Sequence, residues 1–266
     1  MTKLTIENFK AMLDHALEQI KAREDEFSKL DAVIGDGDHG TAIVTALSAV
    51  HRIAQNGTEF KAMLGDMGMG VMLEVSGSTS TLLGAFFLGM SDNVAGTELD
   101  AAGVKAMFAG GLANVQQQTK AKPGDKTMMD ALVPAVEAIQ AATSDDIKEI
   151  LTAGAKAALA GAKATVQMKA NFGRARNYGE RSIGFADSGA GGFGYFDDSF
   201  VEVVARRAIY YYVHFANNLI LFNSLSSSAS RPSQYWLTRA WKAAEWSGWV
   251  ICPSSWHITK RTRCLG

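Results

Sequence analysis

The chain has 266 residues, 47% of them hydrophobic, and a net charge of −1. That is ample material for one large core or two small ones, and the near-neutral balance excludes bulk electrostatic attraction to nucleic acid. Both cysteines, Cys252 and Cys264, lie near the C-terminus, so no disulfide framework supports the fold and a reducing, cytoplasmic setting is expected.

Residues 1–5 contain no apolar run, and no secretory signal is expected there. Phe9, Met12, Leu13, Ala16, Leu17 and Ile20 then recur at three- and four-residue steps, which places them on one face of a first helix. The next stretch, Leu30 to Thr41, puts Asp31, Asp36 and Asp38 close together among Gly35, Gly37 and Gly40. Carboxylates this crowded repel one another unless a cation sits between them. Hard oxygen ligands with room left for phosphate describe a magnesium–nucleotide site, on a loop leading into a helix. Three other readings compete. The dinucleotide-binding glycine pattern fits as a bare string, but Asp36 and Asp38 would repel a pyrophosphate and the alternating strands are missing. A calcium loop needs glutamate at its twelfth position, and counting from Asp31 or Asp36 reaches Ala42 or Leu47. An ordinary acidic turn capping the next helix is the third.

Further helices are expected over 41–55, 60–72, 79–90, 99–118, 127–141 and 145–168, the last with Ser144 as N-cap. No strand alternation is visible before residue 190, so the reading is an all-α antiparallel bundle with its loops clustered at the ends. Three of those loops are polar. Ser76 to Thr81 is either an anion cradle at a helix N-terminus or a plain capping cluster. Pro123 to Met128 is another turn into a helix, with phosphate binding and simple capping equally open. Gly173-Arg174-Ala175-Arg176, running through Gly179 to Gly184 and on to Asp187-Ser188-Gly189-Ala190, places arginines beside glycines, as phosphate clamping by a guanidinium fork requires.

From about residue 206 the composition shifts. All five tryptophans and both cysteines lie beyond it, and residues 190–266 carry +4 against −5 for residues 1–189. The run 208–222 is interrupted by His214, Asn217 and Asn218, too short and too polar for a membrane span. Ser224 to Ser230 reads as a serine-rich linker. The reading is a domain over 1–205 and an atypical extension over 206–266, which is either an aromatic and basic docking patch or a segment without a selected role.

Taken in order, Asp31 with Gly35-Asp36-Gly37-Asp38-His39-Gly40, then Gly77-Ser78-Thr79, Pro123 to Met128, Gly173-Arg174-Ala175, Gly179 to Gly184 and Asp187-Ser188-Gly189-Ala190 closely resemble the nucleotide-binding L subunit of dihydroxyacetone kinase, the DhaL family, from about residue 5 to residue 190. The resemblance implies a closed barrel of antiparallel α-helices with the nucleotide across the loops at one end. It implies that Asp31, Asp36 and Asp38 hold two Mg²⁺ ions. His39-Gly40-Thr41-Ala42 and Ser78-Thr79 match the phosphate loops, Thr119 and Met128 the base pocket, and Asp187-Ser188-Gly189 the last nucleotide element. Arg174 matches the nucleotide-contacting arginine and is the expected catalytic group. Thr119 stands where relatives often carry glycine, and Ser188 replaces a proline. The implied activity is phosphoryl transfer from ADP/ATP chemistry to dihydroxyacetone or a related short ketose held by a separate K subunit, since no general base for a sugar hydroxyl is evident here. A phosphotransferase-system M subunit is a further expected partner, and a homodimer the expected assembly. A fatty-acid-kinase nucleotide domain and a non-catalytic regulatory L protein are the alternatives.

Overall fold

The computed structural model describes residues 1–194 and the backbone of 249–251 and 258–260. The chain divides into two compact units, Met1–Ala205 and Arg206–Gly266. In the first unit, α1 spans Ile6–Lys21, α2 Glu24–Ile34, α3 His39–Ala54, α4 Phe60–Glu74, α5 Ser78–Asp92, α6 Ala101–Gln118, α7 Met129–Ala141 and α8 Ile147–Ala164. Short 3₁₀ turns follow at Thr165–Gln167 and Arg174–Ser182, and a last helical segment covers 188–194. The architecture is all-α. No helix among the described residues is long and apolar enough to cross a membrane.

The first helix forms as its periodicity requires: all six apolar positions from Phe9 to Ile20 are buried. Thr5 caps it, its Oγ1 accepting from the Asn8 amide. Two corrections apply here. Leu4–Thr5 and Glu98–Leu99 pair as a two-residue antiparallel ladder, β1 and β2, too short to show alternation in sequence. The helix α2, read from the sequence as loop, buries only Phe27 and Ile34, so it offers too few apolar positions for a periodic signal. At α8 the N-cap is Asp146, whose carboxylate accepts from the Lys148 amide, while Ser144 Oγ accepts from the Asp146 amide one step earlier. The helix stops at Ala164 and continues as the 3₁₀ turn.

The pairs α4–α5 and α5–α6 pack antiparallel. In α4 and α5, Gly68 lies against Gly84 and Leu88; in α5 and α6, Gly89 faces the Gly110 carbonyl and Gly111 faces Phe86. A Cβ on either Gly89 or Gly110 would overlap the backbone carbonyl of the other, so bare glycines set this helix separation. Around it the core is aromatic: Phe86 meets Phe87, Phe108 and Phe193 edge-on, at centroid distances of 5.8, 6.1 and 5.7 Å. Such pairs add about 1 kcal/mol each beyond area burial.

In the second unit, β3 (Trp249–Ile251) and β4 (Ile258–Lys260) form an antiparallel pair with Val250 opposite Thr259. The serine-rich linker lies outside the described residues.

Candidate functional site

The end of α2 and the start of α3 build the acidic corner of the site. Asp31 lies in the last turn of α2 rather than on a loop. Four residues later the chain reverses through Gly35 and through Gly37, whose φ of 79° lies in the left-handed region that glycine adopts without strain. A Cβ at Gly35 would overlap Asp31 Oδ1, so the glycine leaves that carboxylate its place. Asp31 Oδ2 accepts from the Gly37 amide at 2.8 Å and the Asp36 amide at 3.3 Å, and Oδ1 accepts from Ser188 Oγ at 3.0 Å. Burial pushes the Asp31 carboxyl up, but these donors and nearby His39 outweigh it and hold the group below the usual carboxylate value.

Asp36 and Asp38 are exposed, and one oxygen from each of the three carboxylates falls within 4.8 Å of the others. The Arg174 guanidinium pairs with Asp36 and lies 3.9 Å from Asp38. A positive group thus already stands among the carboxylates, which is the electrostatic requirement that close-set acids impose. Three convergent carboxylates suit a hard divalent cation such as magnesium, so the donor set fits the ions implied by the sequence.

The acidic corner opens on a cavity of about 590 Å³. Its wall gathers Asp31, Asp36, Asp38 and His39 from α2–α3, Ser78 and Thr79 from the first turn of α5, Thr119 from the end of α6, Met128 from the entry to α7, and Arg174, Asp187, Ser188 and Gly189 from the segment after α8. Gly77 caps α5 without a side-chain acceptor, and first-turn N–H groups have no intrahelical partner, so this turn can meet an anion. Gly40, Thr41 and Ala42 do not line the cavity. Gly40 is buried against the Glu24 carbonyl, Thr41 Oγ1 donates to Glu24 at 2.9 Å, and the Ala42 amide donates to the Asp38 carbonyl. His39 does line it: the ring is largely buried, and Nε2 has no hydrogen-bond partner among the described residues. Burial lowers its pKa, against the Asp31 and Asp38 carboxylates and the Ser188 backbone, which raise it.

The opposite wall contains a group that sequence reasoning left undecided. Lys126, at φ 60° and 1% exposed, donates to the carbonyls of Thr165 (2.8 Å), Met168 (3.2 Å) and Phe185 (2.5 Å). Those carbonyls flank the excursion that carries Arg174. Asp130 secures the same turn, accepting from the Gly124 and Thr127 amides at 2.6 and 2.8 Å. Burial lowers the Lys126 pKa, countered by Asp187 and Asp130. Burial likewise raises Asp187 to about 6, against the Ala190 amide and Lys126. In sequence Lys126 stands between Asp125 and Asp130 at the mouth of an apolar helix, a setting that a solvated lysine shares.

Residues 33–202 match the family described as DAK2 domain. The chain is 34% identical over 200 residues to a Listeria innocua protein named PEP-dependent dihydroxyacetone kinase 2, ADP-binding subunit DhaL, covering 71% of this chain and 92% of that one. It is 36% identical over 168 residues to the Escherichia coli protein named PEP-dependent dihydroxyacetone kinase, ADP-binding subunit DhaL, covering 60% and 79%. Among solved structures, the dihydroxyacetone kinase from C. freundii in complex with AMP-PNP and Mg²⁺ superposes with a TM-score of 0.57 at 23% identity, covering 73% of this chain and 33% of that one. The chain therefore spans about a third of that larger protein, and the likeness establishes the helical fold. The family match, the relatives and the ordered motifs agree: the chain belongs to the DAK2-domain family and, within it, to the DhaL group.

Proposed function

We propose that this chain is the nucleotide-binding L subunit of a kinase for dihydroxyacetone or a related short ketose, and that it transfers a phosphoryl group only together with a K subunit holding the sugar. The observation that carries this reading is the convergence of Asp31, Asp36 and Asp38, the α5 N-terminus and Arg174 on one cavity large enough for a nucleotide. The relatives' printed names, ADP-binding subunits of dihydroxyacetone kinases, support it.

Phosphoryl transfer asks for positioning and charge neutralisation more than covalent chemistry from the protein. Two Mg²⁺ ions, when bound, would supply the charge that offsets both the carboxylates and the nucleotide phosphates. Asp31, held by its three donors, and the exposed Asp36 and Asp38 would hold the ions. Arg174, beside them, has a fork that could neutralise charge developing on the phosphates. Ser78 and Thr79 offer hydroxyls and first-turn amides to phosphate oxygens, the His39 ring borders the same space, and Met128 fills the apolar side against the base. The PEP- and PTS-dependent relatives favour a bound ADP that is recharged by a phosphotransferase-system M subunit over freely exchanged ATP.

Asp38→Asn removes one charge while keeping shape. It should weaken magnesium–ADP binding at least tenfold, about 1.4 kcal/mol, with little change in EDTA. Calorimetry giving equal ADP affinity for both forms in magnesium would remove this loop from the site. The isolated chain should not phosphorylate dihydroxyacetone with ATP or phosphoenolpyruvate, and turnover without a K subunit would mean that a sugar site lies within this chain.

A further inference from the structure

The three carboxylates of the acidic corner are not held alike. Asp36 and Asp38 are exposed, and the guanidinium they face is that of the exposed Arg174. Asp31 is half-buried and tied on both oxygens, and one of its ties comes from 157 residues away, where Ser188 Oγ donates to Oδ1 at 3.0 Å. Ser188 opens the last helical segment, and its backbone also meets the His39 ring. One residue therefore touches both the carboxylate and the imidazole that border the cavity.

We propose that Ser188 is a positioning residue for the metal platform, acting through Asp31. The reading rests on Asp31 being a metal ligand, as proposed above. Asp31 sits at a helix end, where rotation about its side chain would otherwise be free. The Gly37 and Asp36 amides fix Oδ2, but both belong to the same short turn and move with it. The Ser188 hydroxyl is the tie from a separate part of the chain. Because a hydroxyl donates one proton, it occupies one lone pair of Oδ1 and leaves the other for a cation. Partners in this outer position typically change metal affinity ten- to a hundredfold when removed.

The test is calorimetric titration of the full chain with ADP, in Mg²⁺ and separately in EDTA, for the natural protein, Ser188→Ala and Ser188→Thr. Ser188→Ala should bind ADP about tenfold more weakly in Mg²⁺ and within twofold of the natural protein in EDTA. Ser188→Thr, which keeps the hydroxyl, should restore most of the loss. The thermal unfolding temperature in EDTA should fall only modestly in Ser188→Ala, because the hydroxyl contributes one partly buried hydrogen bond to a carboxylate. An equal loss in Mg²⁺ and EDTA would mean that the hydroxyl serves the nucleotide or the fold, and no loss would mean that it serves nothing; either overturns the inference. If the natural chain itself shows no Mg²⁺-dependent binding, the magnesium–nucleotide reading falls and this inference with it.

Discussion

The helices α4 to α6 and the excursion from 165 to 187 are built on opposite principles. The first is regular, apolar and tightly packed, with Gly89 against Gly110 and phenylalanines filling what remains. The second has almost no regular helix and contributes few large side chains to the core. It is held by polar anchors: Lys126 on three carbonyls, Asn171 on Asp125 at 2.8 Å, and Ser182 Oγ donating to the Gly179 carbonyl while accepting from the Ala170 amide. Yet it is the second region that brings Arg174 and Asp187 to the cavity. A loop that must present charged groups cannot be pinned by apolar burial, so a buried ammonium takes the place of a core.

The largest effect is expected where that substitution is undone. Lys126→Met keeps length and apolar stem but leaves three carbonyls without their donor, and Asp187 without its neighbouring cation. Unsatisfied buried groups cost about 1–3 kcal/mol each, and the loss should total about 4 kcal/mol in urea unfolding, with magnesium–ADP affinity falling in parallel. An unchanged unfolding midpoint would show that the excursion is held by something other than this lysine.

Gly89→Val probes the other region. The new side chain meets the Gly110 carbonyl and must push α5 from α6, and overpacking of this kind costs about 3 kcal/mol. Here stability and function should separate: below the lowered melting temperature, ADP affinity should match the natural chain, because neither glycine faces the cavity. A matching loss of affinity would mean that the helix pair and the site are mechanically coupled, and the contrast between the two regions would fail.

The same contrast governs what the sequence reveals. Helices with a full apolar face are legible, and Phe9 to Ile20 on α1 and Ile43 to Ala54 on α3 are buried as their spacing implies. The helix α2 is not legible, because it shows two buried positions in eleven residues. The acidic corner is legible as chemistry, since three crowded carboxylates demand a cation, but not as geometry: Asp31 sits in a helix and accepts from Ser188, which is distant in sequence. Lys126 was hidden for a different reason. Nothing local distinguishes a lysine whose ammonium is solvated from one that ties carbonyls 39 to 59 residues away.

A smaller effect comes from Asp187. Burial raises its folded pKa to about 6, against about 3.9 in an unfolded chain. Between those values the folded state holds a proton that the unfolded state has released, so stability is fully present below about pH 4 and declines as pH rises through 6. The decline should be about 3 kcal/mol in EDTA. Asp187→Asn should flatten it. Lys126 favours the ionised carboxylate, so Lys126→Met should carry the same decline to higher pH. A stability profile that is flat from pH 4 to 7 in the natural chain would show that Asp187 is ionised throughout, with Lys126 and the Ala190 amide outweighing burial.

The smallest expected effect lies far from the cavity and has the opposite sign. The N-terminal ammonium of Met1 donates to Asp146 Oδ1 at 2.8 Å, and the Met1 carbonyl accepts from the Ile147 amide at 2.9 Å, so the chain start is fastened to the start of α8. The ammonium bond is the main cause of the lowered Asp146 pKa; burial opposes it and the Lys148 amide reinforces it. A carboxylate whose folded pKa is depressed adds stability above its unfolded value and loses it as pH falls through the folded one. The pair is 21% and 41% exposed, so solvent screening keeps its worth below about 1 kcal/mol. Asp146→Asn keeps the helix cap and removes only the charge, and should cost about 0.5 kcal/mol at pH 7 and nothing at pH 2.5. Asp146→Ala removes the cap as well and should cost about 1 kcal/mol more at neutral pH. If Asn and Ala prove equally damaging at pH 7, the ammonium rather than the cap does the fastening. In that case even this polar tie, placed on the regular side of the molecule, behaves like those of the excursion.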